Sequence, residues 1–365
     1  MKIGIIGAGS IGNHLAFSWR KIGADVTVCD ISKNALDRFK ADIYPSRYGD
    51  FDSEIRLIDK KHFYSTNYDA VFIGTPPESH LELLQEAILF DPKIICVEKP
   101  VVTPDLDAIQ SFARVLQNAN SIVLAGYNHR VGRNTVIAQS FLETFEIGAV
   151  NKLESVVLES WSGILAAHPW LRGPEDSYLG YTNRGGGATF EHSHGLDLWC
   201  FYAERLNLGR VLNVSARAEF SINKSNGEFD EKIEIALETE SGVPGIVRQD
   251  VTTARAEKWV EISGSKGTVR STVGLERATD AVTWQSSTDQ NISIECRISK
   301  PRYDDFDREI ANVSELILSG SKNRLFHELS ALTALETAFI GSASILSAKS
   351  AKKVSLDFQN WTYST

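Results

Sequence analysis

The first 130 positions alternate between short apolar runs and longer stretches with apolar residues three and four apart. KIGIIG (2–7), ADVTVCD (24–30), YDAVFIGTPP (68–77), KIICVEKP (93–100) and SIVLAGYNHR (121–130) have the length and composition of buried strands. Between them NHLAFSWRKIG, ESHLELLQEAILF and TPDLDAIQSFARVLQ carry helical spacing. In the last of these Thr103 is the expected N-cap, with Pro104 at the first helical position. Strands alternating with helices predict a doubly wound parallel sheet, with a ligand beyond the carboxyl ends of its strands.

The pattern then changes. VGRNTVIAQSFLETFEIG (131–148) reads as an amphipathic helix, and AVNKLESVVLESW (149–161) alternates as a strand. Further alternating segments fall at 210–220, 231–240, 244–253, 258–272 and 281–287, and two late helices at 305–320 and 325–351. This alternation predicts a large open, mostly antiparallel sheet with one wetter face. The expected fold is therefore α/β, with a Rossmann domain over 1–124 and a second α/β domain over 125–365. No internal repeat, low-complexity segment or Pro/Gly/Ser linker interrupts the chain.

Composition narrows the function. With 365 residues, 42% hydrophobic and 23% charged, the chain can build full cores without staples. A net charge of -9 and the lack of a basic run argue against nucleic acid as a partner. No run of about 18 uninterrupted apolar residues occurs, so no membrane span is expected. The cysteines Cys29, Cys96, Cys200 and Cys296 are scattered without C-x-x-C spacing, which fits a reducing cytoplasm.

The strand KIGIIG runs into Gly7-Ala-Gly9-Ser10-Ile11-Gly12 and then a helix. The first glycine permits the tight turn, the second lets backbone approach a pyrophosphate, and the third allows close helix–strand packing. The helix N-terminus offers N–H groups to the phosphates. Asp30 closes the second strand eighteen positions after Gly12, where an acid accepts from the adenosine ribose hydroxyls. A carboxylate there repels a 2′-phosphate by roughly 4 kcal/mol per unit charge pair at 4 Å and an effective dielectric of 20. NAD is therefore expected in preference to NADP, although Lys33 lies nearby.

Glu98-Lys99-Pro100 stands at the mouth of an apolar strand. Neighbours on an extended segment point to opposite faces, so one of Glu98 and Lys99 reaches a substrate more easily. A lysine there exchanges a proton with a carbinol oxygen, or it is an ordinary exposed strand-end residue.

GIIGAGSIG, VFIGTPPESH, CVEKPVV, AGYNHR and GGGATFEHSHGLD, in that order, resemble the glucose–fructose oxidoreductase, inositol dehydrogenase and MocA-type family over essentially the whole chain. The resemblance implies NAD(P)-dependent oxidation or reduction of a sugar, inositol, nucleotide sugar or related polyol. It also implies assembly into a homodimer or homotetramer through the C-terminal sheet. Lys99 matches the family lysine that contacts the reacting hydroxyl, and Thr75, Pro76, His80 and Asn128 match segments lining the cofactor; Glu98 is counted with them. Here Glu191 stands where many members have Asp, with His194 and Asp197 at successive spacings of three. EHSHGLD thus looks like a variant branch with a Ser-His-x-x-Asp core, which favours His194 as the histidine partner of Lys99 and makes Glu191 the least secure catalytic candidate.

If 189–203 is one helix, Glu191, His194 and Asp197 share one broad face, His192 points away, and Leu196, Trp199 and Cys200 face the core. A helical zinc site spaces its histidines by four, whereas His192 and His194 are two apart, so no metal is expected. A purely structural polar face is the plainer alternative. Lys99, His168, Arg172, Tyr181, Arg184, His194 and Asp197 are candidate substrate contacts, since aromatic residues pack on sugar faces and arginine grips hydroxyls or phosphates. His14, His62, His129 and His327 read as surface or capping residues. Two other functions fit the same residues: a non-enzymatic NAD-dependent sugar sensor, and redox-assisted hydrolysis or elimination with NAD recycled.

Overall fold

The computed structural model describes residues 1–365 apart from 277, 290, 302 and 321–327. It contains two sheets in two compact units. Unit 1 comprises Met1–Val102, Ser111–Asn128 and Tyr303–Leu332, and unit 2 comprises Thr103–Gln110, His129–Arg302 and Thr333–Thr365. A single cut after residue 124 misses this interleaving. Chain from the last quarter returns to unit 1, where the helix Asp304–Ser319 packs on the helix Ser10–Lys21. There the Ser18 hydroxyl donates to Asp307 at 2.7 Å, and the His14 ring stacks on Phe306 with centroids 4.5 Å apart. His14 is thus a partly exposed ring that packs on a neighbouring helix and also bonds the Tyr48 hydroxyl. His62 is exposed, and His327 lies outside the described residues.

The sheet of unit 1 has strands β1 (Lys2–Ile6), β2 (Asp25–Asp30), β3 (Arg56–Asp59), β4 (Ala70–Ile73), β5 (Ile94–Val97) and β6 (Ile122–Ala125). The six strands pair with one another in parallel, in the order β3-β2-β1-β4-β5-β6, and Leu124 of β6 also makes an antiparallel bridge to Ser330. Ile3, Ile5, Val26, Val28, Ile73, Ile95 and Val97 are fully buried, which explains the continuous apolar runs. The order reverses between β1 and β4, and such a switch point opens a crevice at the strand ends. The polar edge strand β3 has no apolar run and escaped the pattern. The helix expected from Thr103 starts at Leu106, with Asp105 accepting from Ala108 N as its cap at 2.9 Å.

Unit 2 is built on ten strands: β7 (Val150–Leu158), β8 (Val211–Ile222), β9 (Glu228–Thr239), β10 (Pro244–Asp250), β11 (Glu257–Gly264), β12 (Gly267–Glu276), β13 (Thr279–Ser286), β14 (Ser293–Ser299), β15 (Val354–Asp357) and β16 (Thr362–Ser364). Among the described residues only β7 and β10 pair in parallel. Along β9 buried and exposed residues alternate almost perfectly, as a sheet with one covered face requires. The covered face receives the helix His194–Arg205. Trp199 of that helix donates its indole N–H to the Leu153 carbonyl at 3.0 Å, over Gly245, whose missing side chain leaves room for the ring.

The segment 258–272, expected as one strand, is a hairpin, because β11 and β12 turn at Ser265-Lys266. The expected late helix is Ala331–Ser350 among the described residues. By length and composition it could cross a bilayer, but 67% of its most apolar window is buried inside the protein. Phe339 on it packs among Phe358, Trp361 and Tyr363.

Candidate active site

In unit 1 the glycine-rich turn shows why each glycine is there. Gly7 has φ +111°, and a side chain on it would lie 2.6 Å from the Gly74 carbonyl oxygen. On Gly12 a side chain would lie 2.0 Å from the Gly7 carbonyl oxygen. Gly9 differs: no protein atom lies within 4 Å of where its side chain would begin. Protein packing does not require a glycine there, and Gly9 caps a helix whose first turn has no side-chain cap. This open N-terminus, led by Ser10 and Ile11, is the cradle a pyrophosphate fits. The Arg47 guanidinium donates to both the carbonyl (3.0 Å) and the hydroxyl (2.8 Å) of Ser10, fixing the start of the helix.

Asp30 is tied into the same turn. Its carboxylate accepts from Ala8 N at 2.9 Å and from Ser32 N at 2.8 Å. A carboxylate has about four lone-pair sites, so these two donors leave acceptor capacity on Asp30. After β4, Thr75 and Ser79 share a hydroxyl contact of 2.7 Å. His80, expected to line the cofactor, is instead fully buried. Its Nε2 lies 2.7 Å from the Thr75 carbonyl oxygen and its Nδ1 3.0 Å from that of Pro100. Burial pushes the ring's pKa down to about 4, so it is neutral and donates to one carbonyl at a time. His80 therefore braces the Thr75–Pro76 loop against the Glu98-Lys99-Pro100 segment.

Beyond β5 the neighbours Glu98 and Lys99 differ in environment: Glu98 and Pro100 are buried, and Lys99 is partly exposed. Gly126 leaves space for the Glu98 carboxyl group, which would stand 2.6 Å from a side chain there. Beneath lies Glu309, fully buried on the helix Asp304–Ser319 and in contact with Cys96 Sγ at 3.5 Å. Burial first, then the nearby Glu98 carboxylate, push the Glu309 carboxyl well above its ordinary range. Asn128 hydrogen-bonds Glu309, so it belongs to this buried polar group. Sequence reading missed Glu309. The signal was a glutamate on the apolar stripe completed by Ile310, Val313 and Ile317.

In unit 2 the expected helix 189–203 is two helices, Gly187–Glu191 and His194–Arg205, broken at His192 and Ser193. The break disperses the three residues expected on one face. Glu191 is buried and accepts from the Tyr178 hydroxyl at 2.7 Å. His192 is buried and donates Nε2–H to the Glu159 carbonyl at 2.8 Å. Asp197, expected at the substrate, is fully buried in a two-pronged pair with Arg130 (Nε to Oδ2, 2.7 Å) and accepts from Thr337 at 3.2 Å. It anchors the helix. His194 is partly exposed, and its ring stacks on that of His129 with centroids 4.1 Å apart and planes 19° from parallel.

The glycine run 185–187 packs against protein. A side chain on Gly186 would lie 2.2 Å from the Tyr178 and Leu179 carbonyls, and one on Gly187 would lie 2.0 Å from Asp230. Asp230 accepts from Thr182 Oγ1 (2.8 Å), Thr189 N (2.7 Å) and Thr189 Oγ1 (2.7 Å). Just upstream, Arg184 lies over the Tyr181 ring at 5.0 Å. His168 donates to the Ile164 carbonyl at 2.7 Å and meets Trp170 edge-on. Arg172 is largely exposed and bidentate with Asp176. Among the described residues no group of three or more His, Cys, Asp or Glu is placed to hold a metal ion.

The comparisons with known proteins agree with this architecture. The oxidoreductase family model with an NAD-binding Rossmann fold matches residues 1–127, and the GFO/IDH/MocA C-terminal domain model matches residues 137–270. No curated protein matches the sequence. Similar solved structures include an oxidoreductase from Agrobacterium radiobacter in complex with NAD+, L-tartaric acid and magnesium, with TM-score 0.73, 19% identity and coverage of 97% of this chain and 98% of that one. A levoglucosan dehydrogenase in complex with NADH and levoglucosan has TM-score 0.75 and 17% identity, over 98% and 99% of the chains. An NAD binding oxidoreductase from Klebsiella pneumoniae has TM-score 0.75 and 17% identity, over 97% and 98%. At such identities these likenesses carry the fold. With both of its family models matched in order along the sequence, the chain belongs to the GFO/IDH/MocA oxidoreductase family, with an NAD-binding Rossmann domain over its first third.

Proposed function

We propose that the protein catalyses NAD-dependent hydride transfer at a hydroxyl or keto carbon of a sugar, nucleotide sugar or related polyol. The observation that carries the reading is in unit 1: Lys99 is partly exposed just past β5, while Glu98 and Pro100 beside it are buried. Its sheet bears the open Gly9 cradle at the β1/β4 switch point. Gly7, Gly9, Ser10, Ile11, Gly12 and Asp30 hold NAD, which when bound supplies the hydride acceptor or donor. The Lys99 ammonium hydrogen-bonds the reacting oxygen, and His194 accepts the proton released on oxidation or returns it on reduction. Tyr181 and Arg184 are kept as substrate contacts, while Asp197, His80 and Glu191 act by holding their neighbours in place.

A sugar-like substrate is supported by the levoglucosan found in one similar structure and, more loosely, by the tartaric acid in another. We further propose a cytoplasmic homodimer or homotetramer built through the ten-stranded sheet, whose strands expose Leu212, Ile222, Leu275 and Ile294. The test is incubation of the protein and NAD with a panel of sugars, nucleotide sugars and polyols, following NADH absorbance and analysing products. Stoichiometric NADH and a keto product with at least one member supports the reading. Product without net NADH contradicts it in favour of redox-assisted hydrolysis or elimination. A panel bound with no turnover contradicts it in favour of a sensor.

A further inference from the structure

His129 is the first residue of the long unit 2 segment His129–Arg302 and lies in the one-turn helix Asn128–Val131. Its sequence position suggested a surface ring. Instead its imidazole lies face to face with that of His194, with centroids 4.1 Å apart and planes within 19°. Both residues are partly exposed, with His194 Nδ1 turned into the protein. Two imidazolium ions at this separation repel strongly, whereas a neutral ring stacked on a charged one does not.

We propose that His129 is a positioning residue that shares a single proton with His194, keeping His194 able to accept the substrate proton at acidic pH. The proposal rests on the reading that His194 exchanges that proton. Four groups of unit 2 near the pair in sequence or space have partners of their own. Arg130, next to His129, is held by Asp197 of the His194 helix. Lys258 of β11, which lines a small cavity with His129, pairs with Glu159 at 2.5 Å. From the helix Gly187–Glu191, Glu191 accepts from Tyr178, and beyond it His192 donates to the Glu159 carbonyl. The face-to-face imidazole contact is the feature that a single substitution at His129 removes.

The consequence is a two-step titration. The first proton enters near the ordinary histidine range and is divided between the rings; the second enters only at distinctly lower pH. For rings of equal proton affinity, His194 is neutral in about half of the molecules between the two steps. A lone histidine keeps only about a tenth neutral one pH unit below its midpoint.

The experiment is a pH titration of 13C-histidine-labelled, NAD-loaded protein by NMR, with the His194 signal assigned by its loss in His194→Gln. His129→Phe keeps the stacked ring and removes the titrating group, and His129→Gln is the second variant should the first fold poorly. In the wild type His194 should titrate in two steps, and in either variant in one. The acid limb of kcat/KM should show a half-height shoulder in the wild type and fall about tenfold per pH unit in the variants. Identical His194 titration in wild type and variants overturns the proposal. Coupled titration with an unchanged kcat/KM profile supports the shared proton and overturns the catalytic assignment of His194 instead.

Discussion

At the scale of single residues, the glycines separate packing from binding. Gly12→Ala forces a side chain against the Gly7 carbonyl oxygen at 2.0 Å, so it should lower the unfolding midpoint and NAD affinity together. Gly9→Ala places a methyl in open space. It should leave thermal unfolding within about 0.5 kcal/mol of wild type and weaken NAD binding at least tenfold by calorimetric titration. Equal losses of stability in the two variants would count against the cradle. Asp30→Ser removes the charge facing a 2′-phosphate and should raise the ratio of kcat/KM with NADP to that with NAD by at least tenfold. The glycine turn and Asp30 were legible because each uses a residue type that little else explains at that spacing. His129 and Glu309 were not, because their meaning comes from residues 65 or more positions away in the chain.

At the scale of elements, apolar periodicity located most strands of the parallel sheet and the alternating ones of the larger sheet. It failed where the signal is short or polar, as at β3, β14, β15 and β16, and at the Ser265-Lys266 hairpin, which alternation runs straight through. It also read 189–203 as one helix, because no glycine or proline marks the break at His192. The turn before that break hangs on Asp230, where burial outweighs the donors from Thr189 and Thr182 and pushes the pKa up to about 6. A carboxyl whose pKa is raised on folding stabilises below its unfolded value and loses that contribution as pH rises through its folded value. Stability should therefore fall by roughly 3 kcal/mol between about pH 4 and pH 7 on this account alone. Asp230→Asn should remove that part of the dependence. Urea unfolding of both proteins across the range checks it, and parallel curves would refute it.

At the scale of the whole molecule, the order of motifs along the chain conveyed the two-sheet architecture and the cofactor class. It did not convey the interleaving of the units, because the return of Tyr303–Leu332 to unit 1 is set by helix packing that no local pattern announces. That return brings Glu309 beneath the segment carrying Lys99, so this end of the parallel sheet is supported by chain from both ends of the sequence. The central claim is that this end of the sheet performs proton-assisted hydride transfer through Lys99. Its most direct test is single-turnover NADH formation by Lys99→Ala with a substrate found in the panel, alongside NAD affinity by calorimetry. The account predicts a rate at least about 100-fold below wild type, with NAD affinity within about threefold. Near-wild-type turnover in that variant, with NAD bound normally, would contradict it.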